Sequence, residues 1–166
     1  MALSAQINVA LKARLTGSAD LSTPEAAIDL SGQYLLAAGT GDNQIDVVHA
    51  DAHSMAQSAT KDYDLSGSLT NPIGDTAVFA KVKAIAIKAG AANPGNLKVG
   101  ADAAAFAGFF DDASDELIVP PGQLQLLLAT KSGLAVTATT ADIVQVASES
   151  ATGTYTFDIV FLGASA

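Results

Sequence analysis

From Leu3 to Leu15 every odd position is apolar: Leu3, Ala5, Ile7, Val9, Leu11, Ala13 and Leu15. Ser4, Gln6, Asn8, Lys12, Arg14 and Thr16 lie between and beyond them, and only Ala10 interrupts the polar set. A helix advances about 100° per residue and would smear such a pattern around its circumference, whereas a strand sends alternate side chains to opposite faces. The segment therefore predicts a long half-buried strand. The same grammar returns at Thr154–Leu162, where Tyr155, Phe157, Ile159 and Phe161 alternate with Thr154, Thr156 and Asp158. Val9 and Ile159 are expected to face the core, where an aspartate would be an unpaired buried charge.

Between these ends the chain keeps strand-like wording. Ile28, Leu30, Gly32, Tyr34 and Leu36 alternate with Asp29, Ser31 and Gln33 after a turn-rich Thr16–Glu25 connection carrying Gly17, Asp20 and Pro24. Gly39-Thr40-Gly41-Asp42-Asn43 is a turn signal before Ile45, Val47 and the His49 region. In Asp62–Lys88 a strand-like run meets Asn71-Pro72-Ile73-Gly74 and a long second run follows, which predicts two antiparallel strands joined by a tight connection. In the second run the even positions Val78, Ala80, Val82, Ala84 and Ala86 are all apolar. The odd positions mix Phe79, Ile85 and Ile87 with Lys81 and Lys83, a change of phase that a β-bulge or a second covered surface would explain. Short strands are expected at Asn96–Val99, Leu117–Val119, Leu124–Thr130, Leu134–Ala138 and Ile143–Ala147, with Pro120-Pro121-Gly122 as a firm turn. Ala101–Asp112 is ambiguous between a short helix and a loop. Many short strands with turns between them predict an all-β antiparallel sandwich or jelly roll built as a single domain over residues 1–166. Within it, residues 1–16 form the N-terminal strand and a candidate subunit-interface element.

Composition narrows the function classes. Hydrophobic residues make up 49% of the chain but aromatics only 5%, so the apolar content is mainly Ala, Val, Leu and Ile. The absence of cysteine removes disulfides, thiolate metal sites and cysteine nucleophiles. Seventeen acids against eight bases give a net charge of −9, which opposes binding to nucleic acid or to an anionic membrane. The N-terminus has no basic head before an apolar run, so no signal peptide is expected. No apolar stretch approaches the roughly 20 residues that span a bilayer, and a soluble chain is expected.

Few residues invite chemistry. His49, Asp51 and His53 would share one face of a strand, placing two imidazoles and a carboxylate within reach of one Zn²⁺ or similar ion. A solvated or interface-facing polar row near the end of an edge strand is the favoured reading, since the chain has only these two histidines. Asp111, Asp112, Asp115 and Glu116 carry oxygen ligands at a density that suits Ca²⁺, but not at the spacing of an EF-hand loop. Asp42, Asn43 and Asp46 make a weaker version of the same suggestion. Both groups read better as turn residues. Lys81, Lys83 and Lys88 read equally as a positive patch for an acidic partner or as charges protecting a strand edge. No G-x-S-x-G is present, both histidines fall in one strand, and Gly39-Thr40-Gly41 lacks the third glycine and the helix of a phosphate loop. The expectation is a protein with no catalytic residues, no cofactor and no enzymatic activity.

Several segments taken together resemble a known class: Gly39–Asn43 leading to Ile45-Asp46, then Asp62–Leu69, then Phe79–Ile85, then Pro121-Gly122, and last Tyr155–Val160. Their order is similar to that in small virion structural proteins of tailed double-stranded DNA phages, in particular β-sandwich head decoration (cement) proteins. The likeness runs from about Gly39 onward and consists of structural rather than catalytic wording. It implies a homotrimer made in the host cytoplasm and seated on the outer capsid surface of the virion. There it would bind the major capsid protein and tie neighbouring subunits together, with no nucleic acid or membrane as partner. A phage tail or head-fibre component and a carbohydrate-binding β-sandwich module are the alternatives, and the lack of Trp speaks against the second.

Overall fold

Alternating hydrophobicity becomes strand along most of the chain. The computed structural model describes residues 3–18, 22, 25–67 and 69–166; the Asp20 and Pro24 of the first predicted connection lie outside them. Among the described residues the strands are β1 Ala5–Thr16, β2 Glu25–Ala38, β3 Gln44–Ile45, β4 Val47–Ala56, β5 Thr60–Asp64, β6 Leu69–Thr70, β7 Thr76–Ala77, β8 Lys81–Ala89, β9 Leu97–Gly100, β10 Glu116–Val119, β11 Leu124–Leu128, β12 Leu134–Ala135, β13 Ile143–Ser148 and β14 Thr154–Ala164.

Eight strands form two facing antiparallel sheets, one ordered β4-β14-β8-β11 and the other β5-β13-β9-β10. The chain changes sheet from β4 to β5, β5 to β8, β8 to β9, β10 to β11, β11 to β13 and β13 to β14, with the short β12 added to the first sheet through β8. That alternation of two interleaved four-stranded sheets is the order of a jelly roll. The fold is the predicted all-β sandwich. Its core is made by the inward rows of both sheets. Tyr155, Phe157, Ile159 and Phe161 of β14, beside Ile85, Ile87 and Ala89 of β8, meet Tyr63, Leu97, Val99, Val144 and Val146 across the sandwich. The few aromatics are spent here, with the Tyr63 and Phe161 ring centres 5.5 Å apart and Phe79 edge-on to Phe161 at 6.3 Å.

The phase change in β8 is a bulge. Ala84 pairs with Leu162 and Val82 with Gly163, so Lys83 has no opposite residue. The extra residue lets Val82 and Ile85 both turn inward, and both are fully buried. Gly163 is required there because a Cβ would strike the carbonyl oxygen of Lys81 and approach Phe79 Cδ1 to 2.5 Å.

Three expectations change. The Asp62–Lys88 segment is not one hairpin: β5 and β8 belong to opposite sheets, and across Asn71–Gly74 only the two-rung β6–β7 ladder forms. The cause is local, since the Asp64 carboxylate accepts from the Ser66 N–H at 2.9 Å and turns the chain after Asp64. The Ala101–Asp112 segment holds a single 3₁₀ turn, Ala107–Phe109, with Phe106 buried against Phe109. The N-terminal strand is not half-buried. Leu3, Ala5 and Ile7 are partly covered, but Val9, Leu11 and Leu15 are exposed.

Candidate interaction surface

β1 and β2 pair without interruption from Ala5–Leu36 to Thr16–Glu25, a ribbon roughly 40 Å long at the usual strand rise. Register and period two sort most of its side chains, with Leu35 the one large apolar residue on the polar side. One face carries Gln6, Asn8, Lys12, Arg14, Glu25, Asp29 and Gln33. Across it Lys12 meets Asp29 at 3.4 Å, Arg14 meets Glu25 at 2.5 Å, and the Gln33 amide donates to Asn8 at 3.2 Å. Such exposed pairs contribute at most about 1 kcal/mol each, but they fix which side is wet. The other face presents Ile7 beside Tyr34, Val9 beside Gly32, Leu11 beside Leu30, Ala13 beside Ile28 and Leu15 beside Ala26. Only its base is covered: Leu36 is buried, while Leu30 and Leu15 are 70% exposed. The ribbon is an arm, joined to the body through a parallel two-rung pairing of β2 with β3.

The arm's apolar face opens toward the body. Val9, Leu11, Leu30, Gly32 and Tyr34 line one side of a wedge of about 440 Å³ whose other side is Leu126 and Leu128 of β11. β11 is the free edge of the larger sheet. The outward row of that sheet is also free of charge over its middle, running from Leu126 and Leu128 through Ala84 and Ala86 to Val160 and Leu162. Lys88 and Asp158, adjacent in register, mark the polar end.

On β4, an edge strand as expected, His49, Asp51 and His53 stand opposite Phe161, Ile159 and Phe157, so the row lies on the inner face, with the Asp51 and His53 side chains still 30% exposed at its rim. His49 is buried between Tyr63 and Phe161. Its Nδ1 lies 2.6 Å from the Thr70 carbonyl oxygen and must therefore carry a hydrogen, and its Nε2 is buried with no hydrogen-bond partner among the described residues. Asp51 Oδ2 accepts from the Tyr63 hydroxyl at 2.8 Å, and His53 Nδ1 is 3.7 Å from the same oxygen. Burial first, then the hydrogen bond and the charge of Asp51, push the Tyr63 phenol well above its ordinary range. Among the described residues no three His, Asp or Glu side chains gather to hold one ion. The row works as a polar seam closing one side of the sandwich.

The acidic groups serve turns. Asp115 accepts from the backbone N–H groups of Asp111 and Asp112, and Asp112 accepts from both the N–H and the hydroxyl of Ser114, which hold its carboxyl below the usual range. Glu116 pairs with Lys98 at 2.7 Å, and Asp46 accepts from Ser165. The lysine set is divided. Lys83, the bulge residue, is fully buried and donates to the carbonyl oxygens of Gly41 and Lys131. Burial pulls its ammonium below the usual range, with Asp42 opposing and Lys81 adding to the shift. It belongs to no positive patch, and β8 is a central strand with no edge to protect.

Period-two patterning could have pointed to the arm as a pair, since Leu3–Leu15 and Ile28–Leu36 carry the same alternation. What it could not give is that the two apolar rows lie side by side and stay open. Among the described residues no helix is long and apolar enough to cross a membrane. Comparison with protein-family models, characterised proteins and solved structures finds no match to this chain.

Proposed function

We propose that this chain is a non-enzymatic virion structural protein that decorates and stabilises a phage capsid, binding across major capsid protein subunits as a homotrimer. The observation that carries the reading is the arm: an uninterrupted two-stranded ribbon with one wet face and one open apolar face, attached to a jelly-roll body. A two-stranded ribbon is at best marginal alone in water, so a surface of this kind is suited to burial against protein. The titratable groups support the same reading, because the clustered carboxylates cap turns and Lys83 ties two loops rather than lining a cleft. Jelly rolls serve both as viral shell components and as lectins, and fold alone does not choose between them. The aromatic side chains favour the first: Tyr63 and Tyr155 are buried, and the exposed Tyr34 stands alone among the aliphatic side chains of the arm. The negative charge of the chain also suits a shell protein that must not adhere to DNA.

Mixing the purified protein with undecorated capsids of the phage that encodes it, then sedimenting, tests the reading. Saturable recovery in the capsid pellet is expected. Protein that stays in the supernatant refutes it and brings the tail-component alternative forward.

A further inference from the structure

The arm's open face needs an occupant, and we infer that it is a second copy of this chain: copies associate through the apolar faces of their β1–β2 arms, with the wedge above Leu126 and Leu128 receiving the neighbour's ribbon. This deepens the self-association part of the decoration reading and is measured without any capsid, so the two can fail separately.

Area comes first. Val9, Leu11, Leu15, Ile28, Leu30 and Tyr34 are between 39% and 70% exposed. At roughly 100 Å² apiece they present about 600 Å², the size of the largest apolar patch on an ordinary monomer. Adding the Leu126 and Leu128 wall brings the surface near the ~800 Å² per partner of a standard interface.

Charge chooses among occupants. The arm strands carry Lys12 and Arg14 against Glu25 and Asp29, which cancel, and all four lie on the wet face. The −9 of the chain therefore resides outside the two arm strands. A basic partner would be drawn to the acidic body, and an anionic membrane would be repelled by it. An identical neutral face puts no like charges in the seam itself, while the two acidic bodies repel only at longer, salt-screened range. Shape agrees in part: Val9 lies beside Gly32, Ile28 beside Ala13 and Leu15 beside Ala26, while Ile7–Tyr34 and Leu11–Leu30 are large on both strands. Such a face offers hollows for the Leu and Ile side chains of a matching ribbon. A ribbon seated in the neighbour's wedge is a heterologous contact, and its repetition about an axis closes a ring, as a homotrimer requires.

The test uses sedimentation equilibrium of the full chain at micromolar concentration, comparing wild type with Leu11→Gln/Leu30→Gln. The wild type should exceed the 16.6 kDa of one chain by an integer factor, and the double variant should fall to the single-chain mass with its melting transition retained. Because the chain has no cysteine, a second experiment is independent of that variant's folding. Leu11→Cys should cross-link between chains under oxidation, while Gln33→Cys on the wet face should not. A monomeric wild type, an undiminished oligomer in the double variant, or equal cross-linking at both positions would overturn the inference.

Discussion

Asn93 provides the sharpest test of how the sandwich is closed. It follows β8, where Thr156 of β14 keeps Ser54 of β4 on one side but no β8 residue on the other, the β8 pairing ending at Ala89–Phe157. Its side-chain amide takes the place of that missing strand: Oδ1 accepts from the Thr156 N–H at 2.8 Å and Nδ2 donates to the Thr156 carbonyl at 2.9 Å. The Gly90 N–H reaches the same carbonyl at 2.8 Å, so removing Asn93 strands the Thr156 N–H but not its C=O. Asn93→Ala should then lose two short hydrogen bonds at about 1 kcal/mol each and a longer one from the Thr156 hydroxyl at 3.4 Å, and leave one shielded donor unmet, a total of roughly 2–3 kcal/mol. For a chain of this size that is a fall in Tm of about 4–12 °C. Asn93→Asp separates the two bonds. Its carboxylate still accepts from Thr156 N–H but faces the carbonyl oxygen, so burial and repulsion raise its folded pKa above the unfolded value. The sign follows directly: relative to wild type, the aspartate variant is least impaired below the unfolded carboxyl pKa of about 4. It loses stability as pH rises through the raised folded value. Urea melts of both proteins at pH 4 and pH 8 measure the difference. A gap that does not widen with pH, or an alanine variant as stable as wild type, refutes the account of Asn93 as a substitute strand.

Gly163→Ala places a methyl against the Lys81 carbonyl and Phe79 at the bulge; it should cost at least the 1–3 kcal/mol of ordinary overpacking, read as a lower urea midpoint. Tyr63 has its folded pKa raised above the ordinary 10.0, so the unfolded chain ionises first and stability falls as pH climbs past 10. Tyr63→Phe should flatten that alkaline decline relative to wild type, and an identical slope in both proteins would contradict the burial and Asp51 pairing of the phenol. Glu149 accepts from the Asn96 N–H and side-chain amide, which hold its carboxyl below the usual range. Its contribution is present above the unfolded value of 4.5 and is lost as pH falls through the folded one, so Glu149→Gln should show a shallower acid decline in thermal melts. Chelator should leave Tm unchanged, and a drop reversed by Zn²⁺ would make the His49–Asp51–His53 row an ion site.

The fold was legible because period-two alternation is strict in the strands that matter. Thr154–Leu162 put its four large inward residues where β14 needs them, and Pro120-Pro121-Gly122 ended β10 on schedule. Where the reading failed, side chains acting on backbone were the reason. Asp64 captures the Ser66 N–H and splits what alternation alone describes as one hairpin. Lys83 looks like a surface charge by type, yet the bulge sends it inward to two loop carbonyls that no local pattern announces. The largest miss was of burial. Alternation in Leu3–Leu15 says that one face is apolar; it cannot say that Val9, Leu11 and Leu15 stay exposed in the folded chain. The His49–His53 row was read as solvated or interface-facing, although Phe161 of the neighbouring strand and Tyr63 of the opposite sheet, which cover His49, are supplied from distant segments.

Stabilisation of a shell is the central claim, and heating filled capsids with and without the protein tests it most directly. With a dye that reports escaping DNA, decorated capsids should release their contents at a higher temperature than bare ones, and the shift should saturate at a fixed ratio of this chain to major capsid protein. Identical release temperatures at saturating protein would contradict the account.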